Sequence, residues 1–113
     1  MSYSIRTQSE TDGCLIELSG DIDADAADPL VRALESAVGA AEATATVIID
    51  LSGAIFLDSR SIGILADWQG RMRASGGRLA LAGARPEVVR LFEMIGLDQA
   101  FKFFPSADAA RDA

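Results

Sequence analysis

The apolar run VIIDL at residues 47–51 says more about architecture than any other stretch of this chain. Its β-branched and leucine side chains are nearly continuous, which is typical of a central parallel strand covered on at least one face. On either side, over 24–42 and 61–74, apolar residues recur at the three-or-four spacing of a helix with one buried stripe. Parallel strands need crossover connections, and helices supply them. The run therefore predicts an α/β domain built on a mostly parallel sheet.

Six further segments have the patterns of strands or helices. The strand-like segments are 3–7, 14–18, 78–82 and 101–104, and the helical ones are 86–95 and 108–111. A turn at 11–13 predicts a hairpin between the first two strands, with the first strand at the sheet edge. We expect 19–21 to end the second strand, 52–54 to follow the central strand as a break, and Gly76 and Gly77 to stop the second long helix. The order predicts a mixed, mostly parallel sheet of about five strands.

The length of 113 residues predicts a single domain over 1–113. No apolar run approaches the roughly 18 to 20 residues that span a bilayer, so we expect no membrane insertion. We also expect no signal peptide, because no basic segment followed by an apolar one opens the sequence. The one cysteine, Cys14, lies in an apolar strand-like run and is interpreted as a core residue. The expected location is cytoplasmic.

Charge and composition exclude several classes of function. The net charge of −7 disfavours nucleic-acid binding and favours a protein partner with a basic face. The chain has no histidine, which removes the commonest general base and the commonest zinc ligand, and it has no glycine-rich phosphate loop. Asp21 and Asp23 share a face in extended chain and could hold a divalent ion, but a solvated loop near a helix N-terminus is the preferred interpretation. We therefore expect no enzyme activity, catalytic residue, cofactor or metal.

The stretch IFLDSRSIGIL at 55–65 places four polar residues, Asp58 to Ser61, between two apolar runs. In one interpretation a strand ends and a helix begins here, and Asp58 or Ser59 caps the helix. In the other, a serine is presented to a partner, since parallel-sheet proteins carry functional groups at the carboxyl ends of their strands. Periodicity alone leaves both interpretations open.

Five motifs in register resemble those of one family. The segment DSRSIG at 58–63 resembles the Asp-Ser-Ser/Thr-Gly-Leu-Gly signature of STAS domains, in particular bacterial anti-sigma-factor antagonists. The other matching segments are SGDID at 19–23, VIIDL at 47–51, GGRL at 76–79 and VRLFEMIGL at 89–97. The resemblance covers nearly the whole chain. It implies a single-domain STAS-like fold with the helices packed mainly on one face of the sheet.

The resemblance also implies a partner switch. In that family the unmodified antagonist binds an anti-sigma factor, which is also an ATP-dependent serine/threonine kinase, and so frees a sigma factor. The kinase phosphorylates the serine after the motif aspartate and breaks the complex, and a serine phosphatase resets it. Carried onto this sequence, the acceptor is Ser59, with Asp58 as its motif neighbour and Asp23 as the nearby acid. Arg60 and Ser61 stand where the family has a hydroxyl residue and glycine. Arg60 could pair with the phosphate and soften the switch, and Ser61 is a competing acceptor, less favoured than Ser59.

A line along the second long helix gives a candidate docking face. Ser59, Gly63, Asp67 and Gly70 fall on this line, and its glycines would let a partner approach the backbone closely. A poorly packed solvent face, or a contact with a neighbouring helix, is the other interpretation of this line. The predicted partner-binding residues are Asp21, Asp23, Asp58, Ser59, Arg60, Gly63 and Asp67. The alternative function is a STAS accessory subunit, never phosphorylated, of a lipid-transport ATPase or of a sensory signalling assembly. A small enzyme using the aspartates is the third and weakest alternative.

Overall fold

The computed structural model describes residues 2–11, 13–40 and 45–113, and its elements follow the predicted order. The strands are β1 Tyr3–Glu10, β2 Gly13–Ile22, β3 Thr46–Leu57, β4 Arg78–Ala82 and β5 Phe103–Phe104. The helices are α1 Ala27–Ala40, α2 Ser59–Ala74, α3 Pro86–Met94 and α4 Ala107–Arg111, with 3₁₀ turns at Ala24–Ala26 and Asp98–Ala100. Part of the predicted turn at 11–13 and the last two residues of the predicted helix 24–42 lie outside the described residues.

The strands form one five-stranded sheet in the order β1-β2-β3-β4-β5. The hairpin β1–β2 is antiparallel, and every other pairing in the sheet is parallel. The first strand lies at an edge of the sheet, as predicted. The predicted mixed, mostly parallel α/β sheet is therefore confirmed.

The helices pack mainly on one face of the sheet, as the family resemblance implied. The residues of that core come from β2, β3 and β4 and from α1, α2 and α3; among them are Ile16, Leu18, Ile49, Leu81, Leu30, Leu34, Leu65 and Phe92. The opposite face carries a smaller cluster in which Ala110 of α4 packs with Leu15 and Ile48. Each fully buried leucine or isoleucine contributes about 1.5–3 kcal/mol. The larger core therefore holds α1, α2 and α3 against the sheet.

Two expected strand ends were wrong. Residues 19–21 do not end β2, which continues to Ile22, and residues 52–54 lie inside β3, which continues to Leu57. Gly20 and Gly53, in these two segments, mark irregular strand pairing instead of turns. The β2–β3 register shifts between Glu17 and Ser19, which pairs with Gly53, and it shifts again after Gly20. Both strands therefore run further than predicted, and their last residues are paired side by side at the carboxyl edge.

The far end of α2 closes as predicted. The amide of Gly77 donates to the carbonyl of Met72 at 2.9 Å, and that of Gly76 donates to Arg73 at 3.1 Å. Gly76 has a φ of 91°, which a residue with a side chain rarely adopts. This pair of bonds is a Schellman motif, which satisfies carbonyls that the helix end would leave open. Within the described part of the chain, no helix combines the length and hydropathy needed to cross a bilayer.

Candidate functional site

The first turn of α2 is held by Asp58, the residue that follows β3. Its backbone is extended, and its Oδ1 accepts a hydrogen bond from the Ser61 amide at 2.8 Å. Asp58 is therefore the N-cap, which confirms one of the two interpretations of this stretch. Because Asp58 caps, α2 begins at Ser59, two residues earlier than predicted. Ser59 is left exposed on the first helical residue, where the field of the helix favours negative charge.

The two serines of the stretch have opposite environments. Ser61 has no exposed surface, and its Oγ donates to the carbonyl of Ile22 at 3.2 Å. The amide of Asp58 donates to the same carbonyl at 3.1 Å. These two bonds fasten the start of α2 to the end of β2. Ser61 thus supports the local fold, whereas Ser59 faces solvent.

The predicted acids of the second strand lie at this same edge. Asp21 is paired with Phe56 across the β2–β3 ladder, and Asp23 directly follows the Ile22 carbonyl that binds Asp58. Asp23 itself caps the 3₁₀ turn, since its Oδ1 accepts from the Asp25 amide at 3.1 Å. Asp21, Asp23 and Asp58 are all half-buried. Among the described residues, no three acidic, cysteine or histidine side chains are grouped so that they could hold a metal ion.

The remaining predicted residues line a groove between α1 and α2. Arg60, Gly63 and Asp67 face Val31 and Glu35 of α1 across a space of about 450 Å³. Asp67 is paired with Arg71 at 2.9 Å, and the Arg71 guanidinium lies 4.6 Å from the centre of the Trp68 ring. Sequence reasoning missed Arg71 here, although its spacing of four from Asp67 is the usual signal of a helical ion pair.

Gly63 and Gly70 both lie along α2 with open space beside them. Among the described residues, and apart from the backbone of α2 itself, no atom would lie within 4 Å of a methyl group added at either position. Packing within the described chain therefore does not require glycine at these positions, although glycine costs a helix interior about 1 kcal/mol relative to alanine. This agrees with a surface that a partner approaches.

A second groove, on the other side of Ser59, is apolar. It measures about 300 Å³ and is lined by Phe56, Leu57, Asp58, Ser59, Ile62, Leu91, Met94 and Ile95. The structure thus places Ser59 and Asp58 in this α2–α3 groove and Arg60, Gly63 and Asp67 in the α1–α2 groove. Sequence reasoning missed the apolar groove, because apolar residues of α3 at helical spacing look the same in sequence whether they face the core or solvent.

Comparisons with known proteins agree with this architecture. A family model described as "Mlab, STAS domain" matches residues 5–105. The chain is 25% identical over 108 residues to an anti-sigma F factor antagonist of Paenibacillus polymyxa. The alignment covers 96% of this chain and 89% of that protein.

Solved structures show the same likeness. The crystal structure of an anti-sigma factor antagonist from Mycobacterium paratuberculosis has a TM-score of 0.84 at 28% identity, covering 98% of this chain and 92% of that one. The unphosphorylated form of the anti-sigma factor antagonist SpoIIAA has a TM-score of 0.81 at 23% identity, covering 96% of this chain and 94% of that one. At 23% identity, the similarity to SpoIIAA supports a shared fold and nothing further.

Proposed function

The chain belongs to the STAS domain family, and from that premise we propose that it is an anti-sigma-factor antagonist switched by phosphorylation of Ser59. Its unmodified form binds an anti-sigma factor that is also a serine/threonine kinase, and this binding releases a sigma factor. The kinase phosphorylates Ser59 and breaks the complex, and a serine phosphatase restores it. The observation that carries the proposal is the exposed Ser59 hydroxyl, which directly follows the helix cap Asp58.

The burial of Ser61 supports the choice between the two serines. Its hydroxyl has no exposed surface and is engaged with the Ile22 carbonyl, so a kinase would have to unwind the first turn of α2 to reach it. Ser59 needs no such rearrangement. We therefore choose Ser59 as the acceptor, and Ser61 holds the first turn of α2, which presents it.

Electrostatics explains how one phosphate ends the complex. A phosphoserine carries about −1.5 to −2 charges, which the N-terminus of α2 tolerates within this chain. Asp21, Asp23 and Asp58 gather acidic charge at the same edge, so the partner surface is one that accepts a neutral hydroxyl beside carboxylates. Added negative charge in such an interface costs several kcal/mol. Since each ~1.4 kcal/mol is a factor of ten, affinity falls about a hundredfold or more.

Arg60 does not oppose this switch in the proposed complex. Its side chain lines the α1–α2 groove together with Glu35 and Asp67, whereas Ser59 lines the groove on the other side. We assign Arg60, Gly63 and Asp67 to contacts with the partner and not to neutralising the phosphate. This assignment predicts that removing the Arg60 charge weakens partner binding but does not change the effect of the phosphate.

The test uses the serine-kinase anti-sigma factors encoded in the genome from which this chain derives, purified one at a time. Each is mixed with the protein and ATP, and the phosphate is mapped by mass spectrometry. Ser59 is the expected site, Ser59→Ala abolishes labelling, and Ser59→Asp fails to bind. Ser36→Ala is the matched control, since Ser36 is exposed on α1 and should leave labelling unchanged. Labelling that persists in Ser59→Ala contradicts the proposal.

A second candidate function follows from the departure of Arg60 and Ser61 from the family signature. In it the chain is a STAS accessory subunit of a transporter of the lipid-transport ATPase type, or of a sensory assembly, and is never phosphorylated. Stable co-purification with a membrane ATPase, together with absence of label at Ser59 in every kinase reaction, would favour this function over the first.

A further inference from the structure

The exposed apolar side chains of this protein are concentrated beside Ser59. The large exposed hydrophobic residues in the described part of the chain are Ile55, Phe56, Met94 and Ile95, and three of these four line the α2–α3 groove. Met94 is the most exposed of them, at 76%. A contiguous apolar patch with a polar rim is a mark of an interaction site, whereas single exposed hydrophobic residues are ordinary.

The orientation of α3 is fixed by packing, so the exposure of Met94 and Ile95 is not a result of loose structure. Val88 and Phe92 are fully buried, and the Phe92 ring meets Phe101 and Phe103 edge-on at 5.5 and 5.4 Å between ring centres. Residues 91 and 95 lie one helical turn apart, beside that buried stripe. With Phe92 held in this way, Leu91 and Ile95 are directed to the groove.

The end of α3 is closed by backbone bonds as well. The amide of Leu97 donates to the carbonyl of Phe92 at 3.0 Å, and that of Gly96 donates to Glu93 at 3.0 Å. This is a Schellman motif with Gly96 at a φ of 74°. The apolar wall of the groove therefore ends at a defined point, close to Met94 and Ile95.

We propose that the α2–α3 groove receives an apolar side chain of the anti-sigma factor, carried on a segment whose neighbouring cation faces Asp58. The inference rests on the proposed function, because Ser59 is itself part of the groove wall and a partner that covers Ser59 must also cover the groove. Asp58 gives the groove one acidic end, with Asp21 and Asp23 beside it at the same sheet edge. The net charge of −7 disfavours a second copy of this chain as the occupant.

The apolar contact and the charge contact of this groove contribute to binding in different ways. The apolar side chain contributes contact area that does not depend on salt, and Asp58 contributes a charge contact that does. A phosphate on Ser59 would stand at the rim of the same groove. It would therefore obstruct the position of the occupant's apolar side chain, which adds a steric effect to the proposed switch.

The test compares Met94→Gln and Ile95→Gln with a matched control, Ile55→Gln. All three residues are exposed and apolar, but Ile55 lies outside the groove wall. Affinity for the anti-sigma factor kinase that binds the native chain is measured at low and high salt. Each groove variant should bind about tenfold more weakly, a loss of ~1.4 kcal/mol, at both salt concentrations. In the kinase reaction, KM for the protein should rise by a similar factor with kcat unchanged.

The possible outcomes distinguish a failure of the groove inference from a failure of the proposed function. Weaker binding by both groove variants, with normal binding by Ile55→Gln and unchanged thermal unfolding, supports the inference. Native affinity in both groove variants overturns it while the switch at Ser59 still stands. Equal weakening by all three variants also overturns it, because the effect would then not belong to the groove. If the native chain binds none of the kinases, the proposed function fails and the inference fails with it.

Discussion

Asp58 serves the fold and the proposed interface with one carboxylate. Its Oδ1 closes the first turn of α2 through the Ser61 amide, while the residue lines the groove that contains Ser59. An aspartate directly before the proposed acceptor serine therefore has a structural reason that is independent of any partner. The two roles can be separated, because a neutral asparagine also caps a helix.

Replacing Asp58 should separate stability from binding. Asp58→Ala removes the cap and should lower the free energy of unfolding by about 1 kcal/mol. Asp58→Asn keeps the cap and should leave stability nearly unchanged, yet it should weaken kinase binding because it removes the charge. Urea unfolding measures the first effect, and a titration with the kinase measures the second. Native binding by a stable Asp58→Asn would show that the charge plays no part in docking.

Cys14 gives the protein a pH dependence of stability that is unrelated to the site. Burial in the sheet core raises the pKa of the Cys14 thiol. Below its ordinary pKa of about 8.5 the thiol is neutral in both the folded and the unfolded chain. In that range its titration does not lower the free energy of unfolding. As pH rises from there towards the higher folded pKa, only the unfolded chain loses the proton, so the free energy of unfolding falls.

Urea unfolding between neutral and alkaline pH checks this sign. The native chain should lose stability in that window faster than Cys14→Val, in which the titrating thiol is replaced by an apolar side chain of similar size. Parallel pH profiles for the two proteins would show that the thiol is not the source.

Among the elements, α2 carries most of the proposed interface, and its glycines are the feature that packing does not explain. Gly63 lines the α1–α2 groove with open space next to it. Glycine inside a helix is less favourable than alanine by about 1 kcal/mol. We therefore expect an added methyl group at Gly63 to meet the proposed partner.

Gly63→Ala should therefore have opposite effects on stability and on binding. The free energy of unfolding should rise by about 1 kcal/mol, since the methyl group meets nothing within the described chain and alanine favours the helix. Kinase affinity should fall, because the methyl group holds the partner away from the backbone. Gly39→Ala is the matched control: Gly39 lies in α1, and no described residue beyond its own helix backbone comes within 4 Å of an added methyl group, so stability should rise and affinity should not change.

Features that neighbouring residues determine could be predicted from the sequence, and features that depend on residues distant in sequence could not. The helix stop at Gly76 and the buried strand at 47–51 were predicted correctly, because a glycine and an apolar run act through neighbouring residues. The ends of β2 and β3 were not, because Gly20 and Gly53 mark irregular pairing, and pairing depends on a strand distant in sequence. Apolar spacing could not show whether Met94 faces the core or solvent, since the answer depends on how Phe92 packs.

At the level of the whole molecule, the two faces of the sheet have different tasks. The helices α1, α2 and α3 build the large core and hold the Ser59 edge, while α4 covers part of the opposite face. Arg111 ties α4 to β1 through Glu10, with Nε donating to both carboxylate oxygens at 3.0 Å, and this pairing raises the Arg111 pKa. The second face therefore supports stability, and the site lies apart from it.

A chain that ends at Pro105 tests this division. Without α4, Leu15 and Ile48 lose the cover of Ala110, and exposing side chains of this size costs about 1.5–3 kcal/mol each when exposure is complete. We expect a loss of about 2–5 kcal/mol in the free energy of unfolding, together with a greater tendency to aggregate. At a temperature where the shortened chain is still folded, Ser59 should be phosphorylated at the native rate, because the bonds that present it join only β2, β3 and α2. A folded but unphosphorylated short chain would mean that the second face also contacts the kinase, and that stability and switching share one surface.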